Sequence, residues 1–362
     1  MKILMLCPLI SSSSFITTYP FAKILSKKHD VEIMGPLLGK KPYIEDAKLK
    51  FSFIEPKITK PIQLSFLSLY KKNLDVIRKK EFDVIHAFKL LPHTGPVGAK
   101  IKKKMGTPFV LSIDDYDVAA SKNKLKNKVM KWAEKSYKEA DAITVASENL
   151  RSIYGGSVVY QVANEYAFKK PDPKKFIKKH NLEGKKIIAY AGTFYDHKGI
   201  DILIKAVKKI NSPKIKLVLA GGPDVEKYRK MSGKETLFTG KIPINEVADL
   251  TAAADIYVIP TKDSIYARAE IPAKIFEPMM LGKPVIASKI SDIPKILSNG
   301  KCGLLTKPGS VEELADKIMY LIDNPKEMNK IASNAKNKYD SNYSYKEMEK
   351  RISRMYLNLI DH

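Results

Sequence analysis

The chain of 362 residues contains only two cysteines, Cys7 and Cys302, which are far apart and have no metal-ligand spacing. That scarcity excludes a disulfide framework and a cysteine-built zinc site, and it fits two buried thiols in a reducing cytoplasm. No run of about eighteen apolar residues is present, which argues against a membrane-spanning helix. The opening MKILMLCPLI has a short apolar run and no small-residue cleavage site after it, so it reads as a first buried strand. Acidic residues are scarce, 39 against 64 Lys and Arg, for a net charge of +25. That imbalance points to an anionic partner: a membrane surface, a nucleic acid or a phosphorylated substrate. A lysine-rich proteome is the plain alternative. No aromatic-and-basic recognition module appears, which disfavours nucleic acid. The loop after the first strand, residues 11–14, is four serines without glycine, which disfavours a dinucleotide fingerprint there.

What is present alternates. Apolar runs at 3–9, 31–34, 51–54, 82–86, 109–113 and 142–145 read as strands, and 18–28 has helical spacing. Residues 122–140 read as one amphipathic helix. Leu125, Val129, Trp132, Ala133 and Tyr137 form its stripe, and seven lysines lie from Lys122 to Lys138. It is either a solvated outer helix or one that lies on anionic headgroups. Residues 60–72, apolar in the middle and basic at the ends, fit a membrane-interface segment or a core helix. Residues 158–172 read as a domain connection.

A second series starts at Lys185. A strand at 187–191 runs into Gly192-Thr193, then His197-Lys198-Gly199, then a helix over 200–210. A strand at 216–219 runs into Gly221-Gly222-Pro223, and 237–239 into Gly240-Lys241-Ile242-Pro243. A helix at 245–254 is expected with Asn245 as cap, then a strand at 255–260. Residues 292–297 read as helix and 303–305 as a turn. Ser310 and Glu313 suit a capping box for a helix to residue 322, and a final basic helix covers 345–359. The alternation implies an α/β protein with two parallel-sheet domains and a ligand at strand C-terminal ends. The expected division is 1–165, 166–342 and a closing helix at 343–362.

Residues 263–288 gather the useful groups. Arg268, Glu270 and Lys274 lie near a helix start, and Glu277 follows Lys274 on the same face. Cations beside free backbone N–H groups suit the phosphates of a sugar nucleotide, and a carboxylate suits its ribose diol. Lys198 opens a helix, and Gly221-Gly222 lets a ligand approach the backbone. A diphosphate leaving group needs positive charge as its bond breaks, and these groups can supply it without a metal. In the first half, His86 and Asp114-Asp115 fall at strand C-terminal ends.

The motifs AGTFYDHKGIDILIKA, LVLAGGP, FTGKIPINEV and GKPVIAS resemble the retaining glycosyltransferases of the GT-B fold, family 4-like (glycosyl transferases group 1). The resemblance implies two Rossmann-like domains facing a central cleft. It implies a nucleotide-sugar donor held by Gly192, Thr193, Lys198, Gly221, Gly222, Lys241, Ile242, Asp263, Arg268, Glu270, Pro272, Ala273, Lys274 and Glu277. Catalytic roles fall to Asp115, Lys198, Arg268 and Lys274, and no metal or cofactor is expected. Ser12, Ser13, His86, Asp114 and Asp115 are expected on the acceptor side. The acceptor would be a sugar, lipid-linked or other hydroxyl compound, and the enzyme cytoplasmic, at or near the inner face of the membrane.

The chain departs from the family at several positions. Thr193 stands where an arginine is frequent. Ala269 stands at the family's first glutamate, with Glu270 one residue late, whereas Asp263, Ser264, Arg268 and Lys274 fit a subset of the family. On those spacings Arg268, Lys274 and Glu277 are the stronger expectations, and Glu270 the weaker. Residues 11–14 replace a glycine-rich loop, and Asp114-Asp115 replace a His-Asp pair. Asp115-x-Asp117 imitates the metal motif of the other glycosyltransferase fold, but it follows a strand of a different architecture. A non-catalytic GT-B subunit and a nucleotide-sugar epimerase remain as alternatives.

Overall fold

A computed structural model of the chain describes residues 1–39, 41–56, 62–116, 124–160 and 163–359. Contacts divide it into two compact units. The first is Met1–Gln161 together with Tyr345–His362, and the second is Val162–Ser344. Each is built on a parallel sheet, the α/β class that the strand–helix alternation implies.

The first unit contains β1 (Lys2–Leu6), β2 (Asp30–Pro36), β3 (Lys50–Ile54), β4 (Val84–Phe88), β5 (Phe109–Ile113), β6 (Ala142–Val145) and β7 (Ser157–Val158). Their order across the sheet is β3-β2-β1-β4-β5-β6-β7, all parallel. The inner strands β1, β4 and β5 are near-continuous apolar runs because helices cover both faces. The winding reverses between β1 and β4, so the loops after these two strands diverge and leave room at the sheet's C-terminal edge. The helix Tyr345–Asn358 belongs to this unit and packs on the helix Phe15–Leu25. Its Met348, Ile352 and Tyr356 are buried, and Lys27 pairs with Glu349 at 2.6 Å.

The second unit contains β8 (Lys186–Thr193), β9 (Ile215–Gly222), β10 (Thr236–Gly240), β11 (Ile256–Ile259), β12 (Val285–Ser288) and β13 (Leu304–Thr306), in the order β10-β9-β8-β11-β12-β13. Here the winding reverses between β8 and β11. The helix Ile200–Ile210 buries Ile200, Leu203, Ile204 and Val207 against β8 and β9. Burial of each such side chain stabilises by about 1.5–3 kcal/mol. Ser310 Oγ accepts from Glu313 N at 3.2 Å and starts the helix Val311–Asp323. The Glu313 carboxylate takes the Lys307 N–H at 2.7 Å, not that of Ser310, so the capping box closes on one side only.

Several elements differ from expectation. The helix expected over 122–140 is α-helical over Lys124–Glu134 and then tightens to a 3₁₀ turn over Lys135–Glu139. Its buried residues are Met130, Ala133 and Ser136, whereas Leu125 is 61% and Trp132 42% exposed. The apolar stripe is therefore split between core and surface. Residues 303–305 belong largely to a strand, β13, and not to a turn. Asn245 lies inside the helix Ile244–Ala253, with Pro243 at the cap position. Both cysteines are buried free thiols, and burial pushes the Cys7 thiol up to about 12.

Candidate active site

In the second unit the loops after β8 and β11 flank the reversal point. β8 ends in Gly192-Thr193, and Phe194 is buried, its N–H donating to Gly222 O at 3.0 Å. The chain then makes a 3₁₀ turn over Asp196–Lys198 and leaves it through Gly199 at φ 71°. A side chain at Gly199 would put a Cβ 1.9 Å from the carbonyl oxygen of Pro260, so only glycine permits this close crossing. Lys262 N donates to His197 O at 2.8 Å, which fastens the turn to the segment after β11.

Glu270 arrives from that segment. Ser264 Oγ caps the short helix Ile265–Ala269 by accepting from Ala267 N at 3.1 Å, and Glu270 follows in extended conformation. Lys198 Nζ donates to both Glu270 carboxylate oxygens, at 2.7 and 2.8 Å, and His197 Nε2 lies 3.8 Å from Oε2. Burial alone would raise the Glu270 carboxyl. The nearby His197 ring and the charge and hydrogen bonds of Lys198 outweigh it and hold the group at about 2.

Lys274 and Glu277 stand beside this pair. Lys274 lies in the 3₁₀ turn Ala273–Ile275, entered from Pro272, and Glu277 opens the following helix Phe276–Met280. A Cβ at Gly192 would fall 3.0 Å from Lys274 Cε and 2.9 Å from the Tyr190 hydroxyl, so the glycine makes room for the lysine stem. Gly221, at φ 140°, comes so near that a Cβ would sit 1.7 Å from Gly192 O. Glu277 is buried and its Oε2 has no hydrogen-bond partner. Burial raises its carboxyl above the ordinary range, and the nearby Lys274 charge only partly offsets that. Lys241 and Ile242 follow β10, and Lys241 Cε lies 3.9 Å from where a Cβ on Gly222 would be.

The structure thus gathers Lys198, Glu270, Lys274 and Glu277 around Gly192 and Tyr190. Arg268 is placed differently. Its Nε and Nη2 clasp Asp263 at 2.7 and 2.8 Å, and its side chain is 65% exposed. Arg268 is thus engaged locally with Asp263, and Glu270 meets Lys198.

In the first unit, Ser12 Oγ lies 2.7 Å from Ser14 Oγ, and the carbonyls of Ser12 and Ser13 accept from Phe15 and Ile16 at the helix start. His86 is a correction. It is 0% exposed, with Nδ1 2.8 Å from the Tyr356 hydroxyl and Nε2 2.7 Å from Ser112 Oγ. A ring satisfied on both nitrogens inside the core cannot reach an acceptor. Asp114 and Asp115 do stand at the end of β5, but both are paired with Lys89, a residue the sequence reading missed. Lys89 Nζ lies 3.0 Å from Asp114 Oδ1 and is hydrogen-bonded to Asp115 Oδ2. Lys89 is buried at φ 65° directly after β4, and its N–H donates to Ser112 O at 2.8 Å. A lysine at the strand end on the reversal point was the available signal. Asp117 lies outside the described residues. Among the described residues no three His, Cys, Asp or Glu side chains are grouped to hold a metal ion, and no helix is long and apolar enough to cross a membrane.

Comparison with known proteins gives the family and the fold. Residues 172–338 match the family model described as Glycosyl transferases group 1, and residues 17–156 match Glycosyltransferase Family 4. Over 320 residues the chain is 26% identical to an uncharacterized glycosyltransferase of Methanocaldococcus jannaschii, covering 84% of both chains. Among solved structures it is similar to a sucrose-phosphate synthase from Thermosynechococcus elongatus, with TM-score 0.79, 17% identity and coverage of 100% and 99%. It is also similar to Anabaena HepE in complex with UDP and glucose, with TM-score 0.77, 18% identity and coverage of 99% and 100%. The two sheets therefore form the GT-B fold.

Proposed function

We propose, for a chain that belongs to the retaining GT-B glycosyltransferases of family 4, that this nucleotide-sugar-dependent enzyme moves a hexose from a uridine diphosphate sugar to a hydroxyl acceptor. The observation that carries the reading is the buried, unpartnered Oε2 of Glu277 beside Lys274, next to the Lys198 turn at the β8–β11 reversal. An orphaned buried acceptor is costly, and a ribose diol would satisfy it. Lys198 and Lys274 would take the diphosphate as point charges, and Arg268 would join only on releasing Asp263. Gly192, Thr193, Gly221, Gly222, Pro272 and Ala273 would offer backbone to the donor, and Lys241 and Ile242 the edge of the base. The UDP and glucose in complex with HepE support the choice of donor class.

In the transfer, the bond from the anomeric carbon to the β-phosphate oxygen breaks, and a bond to the acceptor oxygen forms on the same face. The departing phosphate takes the acceptor proton, so no protein nucleophile is needed. Asp115 would bind or orient the acceptor hydroxyl, with its carboxylate fixed by Lys89. The acceptor class we favour is a lipid-linked or cell-surface glycan precursor met at an anionic membrane surface. It is supported by the lysine-flanked helix Lys124–Glu134 with exposed Leu125 and Trp132.

A thermal-shift screen over UDP-, GDP-, ADP- and CMP-compounds tests the donor class, since a ligand of the native state raises its melting point. UDP compounds should give the largest shift. Lys274→Ala should lower kcat roughly a hundredfold, and wild-type kinetics with every nucleotide sugar would rule out its role.

A further inference from the structure

The ammonium assigned to the donor diphosphate is already occupied. Lys198 has three N–H donors, and two of them are directed at Glu270, at 2.7 and 2.8 Å. Lys198 cannot retreat from this partner through its backbone. Gly199 is locked against Pro260 O, and the Lys262 N–H holds His197 O. Glu270 has more freedom. It lies just past the five-residue helix Ile265–Ala269, in extended backbone, and beyond Lys198 its carboxylate faces His197 Nε2 at 3.8 Å.

Resting on the reading of Lys198 as a diphosphate ligand, we propose that Glu270 is a counter-ion that competes with the diphosphate for Lys198 and so promotes release of the nucleoside diphosphate. A diphosphate carries more charge than one carboxylate and wins the ammonium. Glu270 is then left as a like charge beside the bound anion, with His197 as its remaining partner. Two anions in a half-buried site repel, and the nucleotide binds less tightly than the lysines alone would allow. The cost is largest after transfer. When the bond to the sugar breaks, the bridging oxygen becomes a terminal oxygen of the β-phosphate; once the acceptor proton it has taken passes on to solvent, the diphosphate carries one more negative charge, so repulsion from Glu270 grows on the product. Lys198 then returns to Glu270 as the product leaves. Glu270 thereby acts as a positioning residue for Lys198 and contacts no reacting atom.

Calorimetric titration of the full chain with UDP, GDP and ADP tests this. Glu270→Gln removes the charge and keeps the shape. It should tighten binding of the nucleotide that binds wild type by about tenfold, while kcat falls because release slows. A merely structural role for the ion pair would loosen binding, not tighten it. Should Glu270→Gln not fold, Glu270→Asp, which withdraws the carboxylate by one methylene, should tighten binding in the same direction by a smaller factor. Lys198→Ala serves as the separate check on the underlying reading and should weaken binding tenfold or more. If Lys198→Ala weakens binding but the Glu270 variants leave it unchanged or weaker, the counter-ion role is overturned and the diphosphate reading stands. If Lys198→Ala changes nothing, or none of the three nucleotides binds wild type, both fall.

Discussion

A buried carboxylate oxygen without a partner is tolerated only where something else repays it, and the Oε2 of Glu277 is such an atom. If a ribose hydroxyl repays it, wild type should bind UDP more tightly than 2′-deoxy-UDP by about tenfold. Glu277→Gln should erase most of that preference, which titration calorimetry would read directly. Two buried histidines give a second prediction at this scale. Burial lowers His86 to about 3, and burial lowers His93 to about 4 although its bond to Pro8 O opposes it. Both lie below the ordinary 6.5, so the unfolded chain takes up protons first as pH falls. The stability these groups contribute is full above about pH 6.5 and drains as pH drops toward 4 and then 3, by about 1.4 kcal/mol per pH unit for each histidine. Urea titrations followed by Trp132, the single tryptophan and a residue of the same unit, should show the midpoint falling between pH 7 and pH 5. Lys198, Lys274 and Glu277 were readable as candidates because their order along two loops was enough to suggest a phosphate and ribose site. The Lys198–Glu270 pair, 72 residues apart, was not, because it depends on two loops meeting at a reversal point. Lys89 was hidden for the same reason: its partners lie one strand away.

At the scale of elements, strands buried on both faces were legible from their apolar runs, and most of those expected lie within a residue or two of those found. The two- and three-residue strands β7 and β13 were missed because so short a run has no period. The helix Gly95–Met105 opens on Gly-Pro, which reads as a turn, and yet the proline suits the first helical turn. Gly199→Ala tests the turn that presents Lys198. The left-handed backbone and the collision with Pro260 O should destabilise the fold by about 2 kcal/mol or more. They should also weaken nucleotide binding, seen as a lower melting point and a smaller shift with UDP. Truncation after Ser344 would strip the helix Tyr345–Asn358 from the Phe15–Leu25 helix and leave His86 Nδ1 without its hydroxyl partner. The truncated chain should lose the cooperative Trp132 transition in urea, while Tyr356→Phe, which removes only the hydroxyl, should cost about 1–3 kcal/mol.

Across the whole molecule the excess charge of +25 acts collectively, and it was plain from composition. Its meaning was less plain, because a solvated lysine face and a lipid-facing one have the same sequence. Exposed Leu125 and Trp132 among the lysines now give a way to tell them apart. Vesicles rich in phosphatidylglycerol should bind the protein at low salt and shift Trp132 emission to the blue, and neutral vesicles should not. Raising salt to about 0.5 M should release it as screening shortens to a few ångströms. The interleaving of the units also bears on synthesis. Because the first unit is completed by residues that follow the second, the ribosome must make the entire Val162–Ser344 segment before the helix Tyr345–Asn358 exists. At roughly 5–20 residues per second that delay is on the order of ten seconds or more. During it the nascent first sheet carries an uncovered apolar groove along the Phe15–Leu25 helix, a natural landing place for chaperones and the point at which a stalled chain would aggregate.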